Sequence, residues 1–135
     1  MIGLDTNVLV RYLAQDDARQ AALATRLIEE ELTASEQGFI SLVVVAELCW
    51  VLGSLYSATM DELLATLEDL LNTPRFFIEK REVVQAAIAR LKTSSSRKEG
   101  LADALITEIA AHAGCAATMT FDKTAARAAG MTLLV

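Results

Sequence analysis

The sequence predicts an α/β sandwich in which a mostly parallel sheet is flanked by helices. Three observations carry that reading. Short apolar runs alternate along the chain with longer segments of helical period. No repeat, low-complexity tract or interdomain linker interrupts the 135 residues, so one domain spanning residues 1–135 is expected. Two of the short runs, "MIGLD" and "ATMTFD", end in an aspartate. In open parallel sheets ligands bind beyond the carboxyl ends of the strands, and these acids therefore mark the rim where chemistry is expected.

Taken in order, "MIGLD" is the first strand, and "TNVLVRYLAQDD" a helix with Thr6 or Asn7 as its expected N-cap. "DARQAALATRLIEEEL" reads as an amphipathic helix with Leu23, Leu27, Ile28 and Leu32 on one face. "GFISL" is the second strand. Ser41 then caps an apolar helix that runs to about Tyr56. "TMDELLATLEDLLN" is capped by Thr59, with Glu62 at the capping-box position, and Pro74 stops it. "RFFIEK" is a strand, "EVVQAAIARLK" a helix, and "TSSSRKEG" a polar, flexible loop. "LADALITEIAAHAG" is a helix whose core face is marked by Leu101, Leu105, Ile106 and Ile109, with Gly114 at C′. "AATMTF" is a strand, "DKTAARAAG" a short helix closed by Gly130, and "MTLLV" the last strand.

Composition narrows the function. The apolar fraction of 53% exceeds what a small monomer needs and points to a partner surface. The longest apolar stretch is too short to span a bilayer and is broken by Glu47. No basic segment precedes an apolar one at the N-terminus, so no signal peptide and a cytoplasmic location are expected. Cys49 and Cys115, far apart and inside apolar helix patterns, read as buried free thiols. A net charge of −6 argues against a broad basic surface for nucleic acid, unless several acids are gathered in one site.

Four acids stand in unusual places. Asp5 and Asp122 end strands, and each could simply cap the helix that follows. Asp103 lies in the first turn of its helix, where the dipole favours an acid. Glu47 is the outlier, because its neighbours at i−4, i−3, i+3 and i+4 are Val43, Val44, Trp50 and Val51. No lysine or arginine occurs from residue 27 to residue 74, which excludes a local ion pair. Four carboxylates meeting at one rim would repel by several kcal/mol, about 4 for each close pair. Hard oxygen ligands without histidine or cysteine suit Mg²⁺ or Mn²⁺. Such a centre polarises a phosphodiester and activates water.

At this point the motifs "LDTNVLVRYL", "SLVVVAEL", "LADALI" and "TFDKTAARAAGM" resemble, in order and over essentially the whole chain, the PIN-domain ribonucleases, and among them the VapC-type toxins of toxin–antitoxin pairs. The resemblance implies a three-layer sandwich around a parallel five-stranded sheet and Mg²⁺- or Mn²⁺-dependent endoribonuclease activity on structured RNA such as tRNA or rRNA. Asp5, Glu47, Asp103 and Asp122 match its acidic quartet. Asp5, Asp103 and Asp122 are then the metal ligands, and Glu47 assists directly or through water. Thr6, Asn7 and Thr120 match polar residues that orient carboxylates or water. A homodimer and an inhibitory VapB-type antitoxin are also implied. Arg11, Arg97, Lys98, Lys123 and Arg127 are candidates for RNA phosphate contacts. Glu99 and Glu108 read as solvated, and His112 as lying on a helix face without chemistry. Three rivals remain: a PIN nuclease with another nucleic-acid substrate, a phospho-receiver module, and a non-catalytic binding protein. The receiver needs a paired acid after the first strand and an Asp ending a middle one, which "MIGLD" and "FFIEK" lack.

Overall fold

All five expected strands form, and every pairing between them is parallel. The computed structural model describes residues 1–93 and 100–135, which divide into two compact units, Met1–Glu79 and Lys80–Val135. Hydrogen bonding joins the strands as a set of three in the first unit and a pair in the second.

In the first unit β1 (Ile2–Gly3), β2 (Gly38–Ile40) and β3 (Phe76–Ile78) run in the order β1-β2-β3, with Ile2 opposite Gly38 and Gly38 opposite Phe76. Strand alternation buries Ile40, Phe76 and Ile78 and turns Phe77 outward. Gly38 is required by contact: a Cβ there would lie 2.7 Å from Leu4 Cδ1 and 2.8 Å from Leu32 Cδ1.

The helices of this unit are α1 (Thr6–Ala14), α2 (Ala18–Arg26), α3 (Leu42–Leu55) and α4 (Met60–Asn72). Their starts follow capping chemistry. Asp17, Ser41 and Thr59 each accept a backbone N–H from their helix, and Thr59 and Glu62 form the full capping box expected. α1 departs from the expectation: Asp5, not Thr6 or Asn7, is its N-cap. A π-helical turn, Leu27–Glu31, extends α2. The buried stripe along this segment is Ala21, Ala24, Ile28 and Leu32, and Leu23 is exposed. Small alanines let α2 lie close against α1, so the face is chosen by approach distance rather than by side-chain size.

The second unit contains α5 (Arg81–Thr93), α6 (Leu101–His112), β4 (Met119–Thr120), α7 (Lys123–Ala128) and β5 (Thr132–Leu133). α6 ends as expected, with Gly114 at φ 91°. The Cys115 N–H donates to the Ala110 carbonyl and the Gly114 N–H to that of Ala111, a Schellman closure. Gly130, at φ 71°, closes α7. α6 packs on α5 through Leu101, Ala104, Leu105 and Thr107, while Ile106 and Ile109 face outward. The alanine stripe again replaces the larger residues. Thr107 is buried because its hydroxyl donates to the Ala129 carbonyl at 2.9 Å. Glu108 is not solvated: it is 13% exposed and paired with Arg90 Nη2 at 2.9 Å. Cys115 is exposed, whereas Cys49 is buried as expected and its thiol is pushed up to about 12. Glu99, like Arg97 and Lys98, lies outside the described residues. Among the described residues no helix is long and apolar enough to cross a membrane.

Candidate active site

Parallel strands deliver Asp5 and Glu47 to one edge of the three-stranded sheet, Asp5 two residues beyond β1 and Glu47 in the second turn of the helix that follows β2. Asp5 occupies an N-cap with extended backbone, φ −77° and ψ 156°, yet its carboxylate accepts no hydrogen bond from α1. Every helix of this unit led by a Ser, Thr or other Asp cap does use its cap side chain. Asp5 is exposed, and its carboxylate has no partner among the described residues. The next residue, Thr6, is 3% exposed, and its Oγ1 is the only buried side-chain polar atom without a partner among the described residues. Buried polar atoms are normally satisfied, so this hydroxyl is an exception.

Glu47 corrects the sequence reading. It is exposed, and the apolar residues beside it are exposed with it, Val43 at 76% and Trp50 at 66%. The core face of α3 is instead Val45, Leu48, Cys49 and Leu52. No desolvation cost has to be offset, because the apolar neighbours line a surface rather than a burial site.

In the second unit Asp103 is the third residue of α6, half-buried and without a partner among the described residues. Asp122 does cap its helix: Oδ1 accepts from the N–H groups of Thr124 at 2.8 Å and Ala125 at 3.3 Å. Thr120 Oγ1 accepts the Asp122 N–H at 3.0 Å, which fixes the turn from β4 into α7.

The quartet thus divides two and two between the units. Among the described residues no group of three or more His, Cys, Asp or Glu side chains is placed to hold a metal ion. The PIN domain family pattern matches residues 2–131, a span that runs through both units and carries all four acids. The chain belongs to the PIN domain family. No curated protein matches it closely enough to be reported.

As a PIN domain it has a nuclease-type fold, and its basic residues differ in what they are free to do. Arg11 is not a free phosphate ligand. Its Nε donates to Gln20 Oε1 at 2.8 Å, and its Nη1 to Asp16 Oδ1 at 2.9 Å and the Tyr56 hydroxyl at 3.4 Å. The Tyr56 hydroxyl also donates to Asp16 Oδ2 at 2.6 Å; with Arg11 it holds the Asp16 carboxyl below its usual range. Lys123 and Arg127, one turn apart on α7, are exposed. His112 sits exposed on α6 with Nδ1 2.8 Å from the Glu108 carbonyl oxygen.

One residue of the rim was missed. Glu79, directly after β3, accepts the Leu42 N–H at 2.9 Å and so pins the first turn of the helix that carries Glu47. The signal was present as a third acid beyond a strand, in "FFIEK".

Proposed function

We propose that this PIN domain is a divalent-cation-dependent endoribonuclease acting as the toxin of a VapBC-type pair, with structured RNA as substrate. One observation carries the reading most: the Asp5 carboxylate stands at a helix N-cap and does not cap, beside an orphaned Thr6 hydroxyl. An acid that gives up its local stabilising role is available for a ligand.

The donor set fits a hard cation. By the family's pattern Asp5, Asp103 and Asp122 would offer carboxylate oxygens, Glu47 would act on water, and Thr6 and Asn7 would supply further polar groups. A bound Mg²⁺ or Mn²⁺ supplies Lewis-acid polarisation of the phosphate and a lowered water pKa. Thr120 bonds the Asp122 backbone, and Oδ1 serves α7, while Oδ2 has no partner among the described residues. Asp103 stands in the first turn of α6. The exposed Lys123 and Arg127 then meet phosphates of the substrate. A cytoplasmic homodimer held by a VapB-type antitoxin completes the proposal. The exposed apolar residues Val43, Trp50 and Phe121 are consistent with such partners.

The test is cleavage of a tRNA and rRNA mixture with Mg²⁺ or Mn²⁺, with RNA ends sequenced. Water as nucleophile yields 5′-phosphate and 3′-hydroxyl ends. Asp5→Asn and Asp103→Asn should each abolish cleavage and the growth arrest caused by induction, while the circular-dichroism spectrum is unchanged. Full activity in both variants, undiminished by EDTA, overturns the proposal. Cleavage of DNA but not RNA overturns the substrate assignment.

A further inference from the structure

Between α1 and α2 lies a cavity of about 310 Å³, lined by Val8, Arg11, Gln20, Leu23 and Leu27, with Asn7 at the Asp5 end. A space of this size takes one small ring system rather than a segment of chain. Its walls are aliphatic, and Leu23 stands 57% exposed at the mouth. Its polar groups are those of Asn7, Arg11 and Gln20, the last two joined by the bond from Arg11 Nε to Gln20 Oε1 at 2.8 Å. Asp16 and Tyr56 on Nη1 fix the plane of the guanidinium and offset its charge. What remains without a partner, among the described residues, is Arg11 Nη2 and Gln20 Nε2. Both donors belong to side chains that line the cavity.

We propose that this cavity is a nucleobase subsite that takes a guanine unstacked from single-stranded RNA. Val8, Leu23 and Leu27 pack against the ring, while Arg11 and Gln20 donate to its O6 and N7. Arginine is the side chain that most often reads the adjacent O6 and N7 acceptors of guanine. Adenine places an amino donor opposite the same groups, and pyrimidines present one acceptor at most on that edge. An apolar side chain of a protein partner fills the walls but offers neither donor an acceptor. Unstacked bases held against side chains and read at their edges are the usual means of sequence-specific RNA recognition. The subsite lies close to the proposed chemistry: Arg11 is six residues beyond Asp5, about 9 Å along the helix axis. Its role in choosing the cleavage position rests on the ribonuclease reading. Its affinity for guanine does not.

The experiment measures binding by fluorescence anisotropy, with Mg²⁺ present and the Asp5→Asn chain used to keep the RNA intact. The probes are oligouridine heptamers carrying guanine, adenine, cytosine or uracil at the centre. The guanine heptamer should bind about tenfold tighter than the others, the low end of what one paired contact provides. Gln20→Ala and Leu23→Ser, both at exposed positions, should each reduce that preference below about threefold and leave binding of the all-uridine heptamer within about twofold. Equal binding of the four probes, or an undiminished preference in both variants, overturns the proposal. So does equal binding together with protection of Leu23 and Leu27 by a protein partner. Guanine preference without RNA cleavage by the wild-type chain refutes the ribonuclease reading alone. Cleavage without guanine preference refutes this proposal alone.

Discussion

Replacing Asp5 by alanine separates a structural aspartate from a functional one. An Asp that caps a helix contributes about 1 kcal/mol, and its loss to alanine costs 0.5–2 kcal/mol. The Asp5 carboxylate accepts no hydrogen bond from α1, so only a few tenths of a kcal/mol of exposed charge–dipole attraction are at stake. Asp5→Ala should therefore shift stability by less than about 0.5 kcal/mol. Asp122→Ala removes the acceptor of two N–H groups and should cost about 1 kcal/mol or more. For a chain of this length the unfolding entropy is about 0.28 kcal/mol/K, so the two variants should melt about 2–4 °C apart. Thermal denaturation in EDTA reads this difference. Adding Mg²⁺ then raises the midpoint of the wild type and not of Asp5→Ala, because the ligand stabilises only a chain that binds it. A loss above about 1 kcal/mol in Asp5→Ala without metal refutes the reasoning, since the residue would then be a cap after all.

Further outcomes follow from the same accounting of partners. Thr6→Val removes a buried hydroxyl that bonds to nothing, so urea denaturation should show a neutral or slightly stabilised protein, with cleavage reduced. Thr107→Val deletes the donor to the buried Ala129 carbonyl and should cost about 1–3 kcal/mol in the same assay; an unchanged midpoint disproves the role of that bond. Under native conditions a thiol reagent near pH 8 should label Cys115 quickly and Cys49 only on unfolding, because burial pushes the Cys49 thiol to about 12. Asp16 has a folded pKa below its ordinary 3.8, so its contribution is present above that value and fades as the pH falls through the lower folded one. Tyr56 is raised above its ordinary 10.0, chiefly by the same bond to Asp16, so its contribution holds below that value and fades as the pH rises through the folded one. Tyr56→Phe should flatten both limbs of a stability–pH curve, and a curve identical to wild type removes this network from the account.

Much of the architecture was legible because local chemistry decides it. The caps Ser41 and Thr59, the stop at Pro74 and the αL closures at Gly114 and Gly130 depend on residues within one turn of each other, and each was read correctly. The aspartates ending β1 and β4 were legible for the same reason. What a side chain faces was less so. Leu23, Ile106 and Ile109 were assigned to the core by size, yet Ala21, Ala24 and Ala104 occupy it. Close helix approach selects small residues, and approach distance belongs to the partner helix rather than to the helix being read.

Glu47 and Glu108 exchanged roles for that reason: the acid in the apolar run is exposed, and the one assumed solvated lies paired with Arg90 from a neighbouring helix. By itself the sequence determined the order of elements, most helix ends and the family, because these rest on near neighbours and on spacing along the chain. Only the tertiary structure decided which side of each helix is covered, that Asp5 caps nothing, and that Arg11 is already held by Asp16 and Gln20. Those facts depend on what another segment brings within a few ångströms, and no local pattern records that.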